Sequence, residues 1–211
     1  MNLRLPFEGA ERLDKSYSGL GQDLFVLMLL DGLSNGTYLE VGANDPVVSN
    51  NTYLLEKVFG WTGLSVDISK VFERRFKLFR QNTFVSADAR RIAYRPFFGS
   101  VIDYLSLDID PPEQTYEALA NILGEGLSFK VLTFEHDYYM MGSGPRVRTE
   151  SRDLLESYGY ELLVADVSFN GLRCEDWWIN PDFIDPSRAA VLAHAGPIDF
   201  NDYISGTDRD G

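Results

Sequence analysis

Residues 36–67 read GTYLEVGANDPVVSNNTYLLEKVFGWTGLSVD. Two short apolar runs, Thr37 to Val41 and Thr62 to Val66, enclose a turn with Gly42 and a helical stretch. Ser49, Asn50 and Asn51 are good N-cap residues for that helix, and Gly60 ends it. Asp67 follows directly on the second run. A strand–turn–helix–strand unit of this kind reads as the first half of a nucleotide-cofactor domain. It aims backbone N–H groups at a ligand, and the carboxylate after the second strand can accept two ribose hydroxyls.

The rest of the chain keeps the same rhythm. Upstream, SYSGLGQDLFVLMLLDGL predicts a helix with Leu20, Leu24, Leu27 and Leu30 on one face, closed by Asn35-Gly36. Downstream, a helix is expected from about Lys70 to Arg80 and a strand over Thr83 to Ser86. A strand over Ser100 to Leu107 is stopped by Asp110-Pro111-Pro112, which opens a helix through about Leu123. Phe129 to Phe134 reads as a strand, Arg146 to Tyr158 as a helix, and Tyr160 to Val164 with Cys174 to Ile179 as a closing strand pair. Strands alternating with helices predict an α/β, Rossmann-like doubly wound, mostly parallel sheet. The expected division is an N-terminal extension over 1–15, a single domain over 16–195 and a loose tail over 196–211 rich in Asp and Gly.

Composition sets outer limits. The 211 residues suit one domain, and the apolar fraction of 45% is that of a globular protein. A formal charge of −13 disfavours general affinity for nucleic-acid backbones. The one basic run is Lys70, Arg74, Arg75, Lys77, Arg80, Arg90, Arg91 and Arg95. It reads either as a solvated helix face or as a docking patch for an anion. Cys174 stands alone, so neither an internal disulfide nor a cysteine-based metal site is expected. The first fifteen residues lack a signal-peptide core, and the run Leu24 to Leu30 is too short to span a bilayer. A cytoplasmic protein without membrane contact is expected.

The first turn discriminates between cofactors. A dinucleotide fold needs G-x-G-x-x-G there, but Gly42-Ala43-Asn44-Asp45-Pro46 holds one glycine and an aspartate that would repel a pyrophosphate. No P-loop pattern occurs. Acidic residues at strand ends suit instead an adenosine-containing cation with an amino-acid tail, the properties of S-adenosylmethionine.

Several segments in order carry a family resemblance: SGLGQDLFVL at 18–27, GTYLEVGANDP at 36–46, NNTYLLEK at 50–57, GWTGLSVDIS at 60–69, VSADAR at 85–90, DYLSLDID at 103–110 and LTFEHD at 132–137. Over roughly residues 16–140 the chain resembles FkbM-type methyltransferases of the class I S-adenosylmethionine-dependent group. The resemblance implies a seven-stranded sheet with a terminal antiparallel pair. It places Glu40, Gly42 and Asn44 at the turn approached by the methionine part and ribose of S-adenosylmethionine. It places Asp67 on the ribose hydroxyls, Ile68 against the adenine, Asp88 and Ala89 at the adenine amino group, and Asp108 near the methionine end. Asn51, at the helix start, is expected to orient the turn or meet the cofactor carboxylate.

A second constellation gathers Asp108, Asp110, Glu135, His136 and Asp137 at the ends of two central strands. Its oxygen and imidazole ligands suit Mg²⁺ or Mn²⁺, and it is similar to the metal site of metal-dependent O-methyltransferases. Asp108, Glu135 and His136 form one candidate ligand set; Asp110, Glu135 and Asp137 form the other. Such a metal would lower the pKa of an acceptor hydroxyl, with His136 as general base; without a metal, His136 or Glu135 would be the base alone. His136 and Asp110 are the expected catalytic residues. The opposing reading makes His136 a structural hydrogen-bonder and the carboxylates caps. His194 reads as structural, at a helix end. Trp177-Trp178 with Tyr138-Tyr139 and Met140-Met141 read either as a substrate wall or as one tryptophan in the strand core and the other at the surface, and Gly142-Ser143-Gly144 as the hinge of a lid.

The expected activity is methyl transfer to an oxygen of a saccharide or another small hydroxylated acceptor. The oxygen and sugar preferences come from the resemblance. The rivals are a non-catalytic binding module and an NAD-type oxidoreductase, the latter disfavoured by the missing glycines.

Overall fold

A computed structural model describes residues 2–207. Among them, eight strands form one sheet: β1 (Thr37–Val41), β2 (Thr62–Asp67), β3 (Thr83–Ser86), β4 (Val101–Leu107), β5 (Ser128–Glu135), β6 (Glu161–Phe169), β7 (Leu172–Ile179) and β8 (Ile198–Asp199). Their spatial order is β3-β2-β1-β4-β5-β7-β6-β8. The first five run parallel, and β7 lies antiparallel between β5 and β6. The sheet therefore has one strand more than expected. The extra one is the two-residue β8, parallel to β6 and held where the Ser168 hydroxyl donates to the Ile198 carbonyl at 2.9 Å. The helices are α1 (Gln22–Leu29), α2 (Tyr53–Phe59), α3 (Glu73–Phe79), α4 (Pro112–Gly124), α5 (Gly144–Ser157), α6 (Pro186–Leu192) and α7 (Phe200–Ser205).

Strand side chains alternate between two cores, as the pleat requires. Tyr38, Tyr104, Val131 and Trp177 face the core under α1, α6 and α7. Leu39, Leu105, Leu132 and Trp178 face the core under α4 and α5. Both tryptophans are fully buried, and Trp177 stacks on Phe25 at 4.3 Å. Both are core, neither a substrate wall nor a core-and-surface pair, because consecutive strand residues face the two cores on opposite sides of the sheet. Nor does Gly142-Ser143-Gly144 form an open hinge, because Gly144 already begins α5.

The first and last described stretches are built into the domain. Phe7 and Leu13 are buried in the core below α1. The Arg4 side chain donates to the Tyr203 carbonyl at 2.8 Å. Tyr203 is itself fully buried, edge-on to Trp177, with its hydroxyl donating to the Leu192 carbonyl at 2.8 Å. The segment expected to be loose thus supplies β8 and α7, because Ile198, Tyr203 and Ile204 give it an apolar face despite its Asp and Gly content. Met1 and residues 208–211 of the expected extension and tail lie outside the described residues. His194 lies past the end of α6, in an isolated backbone bridge to Val164. The basic run is dispersed rather than a single patch. Arg80 is buried, Arg75 pairs with Asp45, Lys77 with Glu73, and Arg90 with Asp88 and Glu117.

Candidate functional site

The chain changes sheet direction between β1 and β4, and a cleft of about 290 Å³ opens at the carboxyl ends of these strands and β2. Such switch points are where open α/β sheets bind ligands. Gly42, Asn44, Asp67, Ile68, Asp88, Ala89 and Asp108 line the cleft, together with Asp110. Gly42 has φ +82°, and a Cβ there would collide with the Asp108 carbonyl oxygen. Both the turn and the closeness of β4 therefore require glycine.

The turn does not present a row of unused N–H groups. Gly42 and Ala43 donate to the Val66 carbonyl at 2.9 and 3.1 Å, and the Asn44 N–H donates to the Asp67 carboxylate at 2.9 Å. No pyrophosphate nest exists here, which matches the missing glycines and corrects the expectation that this turn aims its N–H groups at the ligand. What it holds in place is an acceptor. Asp67 takes Asn44 N–H on one oxygen and Ser69 N–H, at 2.7 Å, on the other. Each oxygen keeps a lone pair, so the oriented carboxylate can still receive two hydroxyls.

Ile68 is 71% exposed and forms an apolar shelf beside Asp67. Ala89 is buried at the opposite wall. Asp88 lines the cleft, but Arg90 grips both its oxygens at 2.8 Å, and it also caps a one-turn 3₁₀ helix over Ala89–Arg91. The Arg90 hydrogen bonds hold its carboxyl down at about 2. Val66, Phe72, Ala87, Ile109 and Gln114 complete the lining. Sequence reasoning missed them; Phe72, an aromatic among the charges of KVFERR, was the one visible signal.

Glu40 and Asn51 do not reach the cleft wall. Glu40 points to the same sheet face as Tyr38 and accepts from the Ser65 hydroxyl at 2.7 Å. Burial pushes its carboxyl up, opposed by the charge of Arg80. Asn51 is buried and donates to the Ser106 hydroxyl at 2.9 Å. Beside them Arg80 donates to Glu56 at 2.6 Å, to Asn50 at 2.9 Å, and to the Tyr38 and Thr52 hydroxyls at 2.8 Å each. This knot ties the turn after β1 to α2 and the end of α3.

The second constellation separates into two groups. Asp108 and Glu135 share a hydrogen bond, with Asp110 and Asp137 close by. Asp108 keeps accessible surface, yet the cleft walls desolvate its carboxyl and push it up. Burial, then the shared hydrogen bond and charge of Asp108, push Glu135 further up. Burial also raises Asp137.

His136 belongs to the other group. Its imidazole is fully buried; Nδ1 accepts from Tyr138 N–H at 3.2 Å, and Nε2 faces Asp176 at 3.5 Å and Asp166 at 3.7 Å. An Nδ1 that accepts leaves the proton on Nε2, so His136 has no free basic nitrogen to offer a substrate. Asp108, Glu135 and His136 therefore do not converge as metal ligands, because successive residues at the strand end diverge.

Among the described residues, the one trio close enough to hold an ion is His136, Asp166 and Asp176. Arginine forks already occupy its carboxylates: Arg148 grips Asp166 at 2.6 Å and Arg152 grips Asp176 at 2.7 Å, through two nitrogens each. Burial works against the Asp176 charge, but hydrogen bonds from His136 and Arg152 prevail and hold it at about 2. Two cations in place leave no need for a third.

No family model and no curated protein matches the chain. Solved structures do. A protein described as an rRNA methylase from Clostridium thermocellum is similar at 14% identity and a TM-score of 0.55, over 78% of this chain and 98% of that one. The N-methyltransferase NodS from Bradyrhizobium japonicum WM9 is similar at 13% identity and TM-score 0.52, over 80% and 99%. Magnesium protoporphyrin IX methyltransferase from Synechocystis PCC 6803, solved with bound S-adenosylmethionine, is similar at 14% and 0.51, over 74% and 76%. The chain shares the fold of these methyltransferase structures.

Proposed function

We propose that the chain is an S-adenosylmethionine-dependent methyltransferase acting on a small hydroxylated acceptor, with a saccharide as the leading class. The observation that carries this reading is the Asp67 carboxylate, oriented by two backbone N–H groups at the wall of the switch-point cleft. The cleft fits the cofactor in kind: a hydroxyl acceptor at Asp67, an apolar shelf at Ile68 and Phe72, and acidic groups at Asp108 and Asp110 for a cationic end. The internally satisfied turn argues against an NAD-type dinucleotide.

When bound, S-adenosylmethionine supplies a methyl group on an electrophilic sulfonium. The chain's part is alignment, which accounts for much of the rate in such transfers, and disposal of the acceptor proton. His136 is sealed away from that role. The carboxyl groups of Asp108 and Asp110 are the bases the cleft wall offers. The charge of −13 supports a small acceptor over a polynucleotide. Among the described residues no helix is long and apolar enough to cross a membrane.

Thermal melting with S-adenosylhomocysteine tests the reading. The expected result is a rise in Tm with this nucleoside and none with NAD. Asp67→Ala should weaken the nucleoside by about tenfold or more, the scale of losing a charge-assisted hydrogen-bond pair. A wild-type Tm indifferent to S-adenosylhomocysteine would end the proposal. An undiminished shift in the variant would remove the role of Asp67.

A further inference from the structure

β3 lies beyond β2 in the sheet, so the cleft runs from Asp108 and Asp110 after β4, past Gly42 and Asp67, to Asp88 after β3. A nucleoside with its ribose on Asp67 and its cationic end toward Asp108 therefore puts its base at the Asp88 end. The wall there is apolar at Ile68, Phe72, Ala87 and Ala89, and Asp88 is its charged side chain. That carboxylate is not loose. Its Oδ1 accepts from the Arg90 backbone N–H at 3.1 Å and from Arg90 Nε at 2.8 Å, and its Oδ2 accepts from a second guanidinium nitrogen at 2.8 Å. Arg90 is braced in turn from α4, where its third nitrogen donates to Glu117 at 3.0 Å. Oδ1 thus has both lone pairs engaged, while Oδ2 keeps one. The exposed Arg91 comes no nearer to Oδ2 than 3.5 Å. The Arg90 fork also keeps Asp88 ionised at neutral pH. At this end the carboxylate offers a base a single acceptor position, fixed in place.

We propose that Arg90 is a positioning residue for cofactor recognition: braced by Glu117, it fixes Asp88 so that the cleft selects a base with an exocyclic amine over one with a carbonyl at the same place. The inference rests on the methyltransferase reading and adds to it the means of base selection. An amine N–H meets the open lone pair of Oδ2. A carbonyl oxygen meets a carboxylate, acceptor against acceptor, and a site built to receive a donor rejects the analogue that lacks it. A 6-oxo purine also carries a ring N–H beside its carbonyl, and an unrestrained aspartate could swing to it. The fork prevents that swing, so selectivity depends on Arg90 and not on Asp88 alone.

Calorimetry on the whole chain with S-adenosylhomocysteine and its 6-oxo counterpart, S-inosylhomocysteine, tests this. The wild type should bind the amine form about tenfold more tightly, the scale of one charge-assisted hydrogen bond. The readout is the ratio of the two affinities within one variant, because a general loosening of the fold weakens both ligands alike. Arg90→Ala should bring the ratio toward parity. Arg90→Lys keeps the charge but not the fork, should recover little, and serves should the alanine variant fail to fold. Asp88→Asn keeps a good N-cap side chain and should lose or reverse the preference, since an amide can donate to a carbonyl. A wild type indifferent to the exchange, or a ratio undiminished in either Arg90 variant, overturns the proposal. An undiminished ratio in Asp88→Asn does so too, passing the selection to another lining group such as Gln114. Failure of both nucleosides to bind the wild type would instead strike the methyltransferase reading, so the two outcomes are distinct.

Discussion

Glu175 lies 3% exposed between the sheet and α1, where its carboxyl accepts from Trp177 Nε1–H at 2.7 Å. Burial pushes it up to about 8 from an ordinary 4.5, and the hydrogen bonds from Trp177 and Gln22 only partly oppose this. The sign follows from proton linkage: the folded state holds this proton more tightly than the unfolded chain. Its contribution to stability is whole below pH 4.5 and is lost as pH rises toward 8. Glu175→Gln keeps an acceptor for Trp177 and removes that loss. Urea midpoints should show the variant gaining on the wild type steadily across this window, by a few kcal/mol in order of magnitude at the upper end. At this scale the sequence was legible where one residue's role depends on near neighbours. Asp67 follows a strand and precedes a turn, and its partners Asn44 and Ser69 belong to the same motif. Glu40's surroundings were not legible, because its partners, Ser65 and Arg80, lie 25 and 40 positions away along the chain and keep it off the cleft wall.

The elements around the first turn are joined through Arg80, at the end of α3. Its guanidinium is 1% exposed and serves Glu56 of α2, Tyr38 of β1 and Asn50 of the intervening turn. Asn50 in turn accepts from the Thr52 and Tyr53 N–H groups that open α2. Removing the cation leaves buried Glu56 with Lys57 at 3.3 Å as its remaining ion pair, and strips the Tyr38, Thr52 and Asn50 oxygens of their shared donor. Arg80→Ala should cost about 3–5 kcal/mol, the range for breaking a buried ion pair by deleting one partner. Arg80→Lys should recover little, since one ammonium cannot reproduce the fork. Guanidinium denaturation of both variants measures the difference. The sequence showed this helix clearly but placed its arginine on a solvated face, because helical spacing does not reveal which residue turns inward at a helix end.

Across the whole molecule, a charge of −13 surrounds two apolar cores, and the basic residues are largely spent on local carboxylates. An RNA fragment should show no saturable binding by filter retention at about 0.1 M salt, where surface charge acts over roughly 10 Å. Saturable binding would redirect the acceptor from small molecules to RNA. The parallel half of the sheet could be derived from the order of residues alone: period-two apolar runs, capped helices between them, and an aspartate after the second strand are local patterns governed by short-range sterics and hydrogen bonding. The same local information excluded a pyrophosphate turn. Only the tertiary structure decided how the second half is used. It turned His136 away from Glu135 into the arginine forks, made the two tryptophans core, and packed Phe7, Leu13, Tyr203 and Ile204 into the domain. Those outcomes depend on contacts between residues far apart in sequence, where burial and charge pairing, not local propensity, set which group faces which.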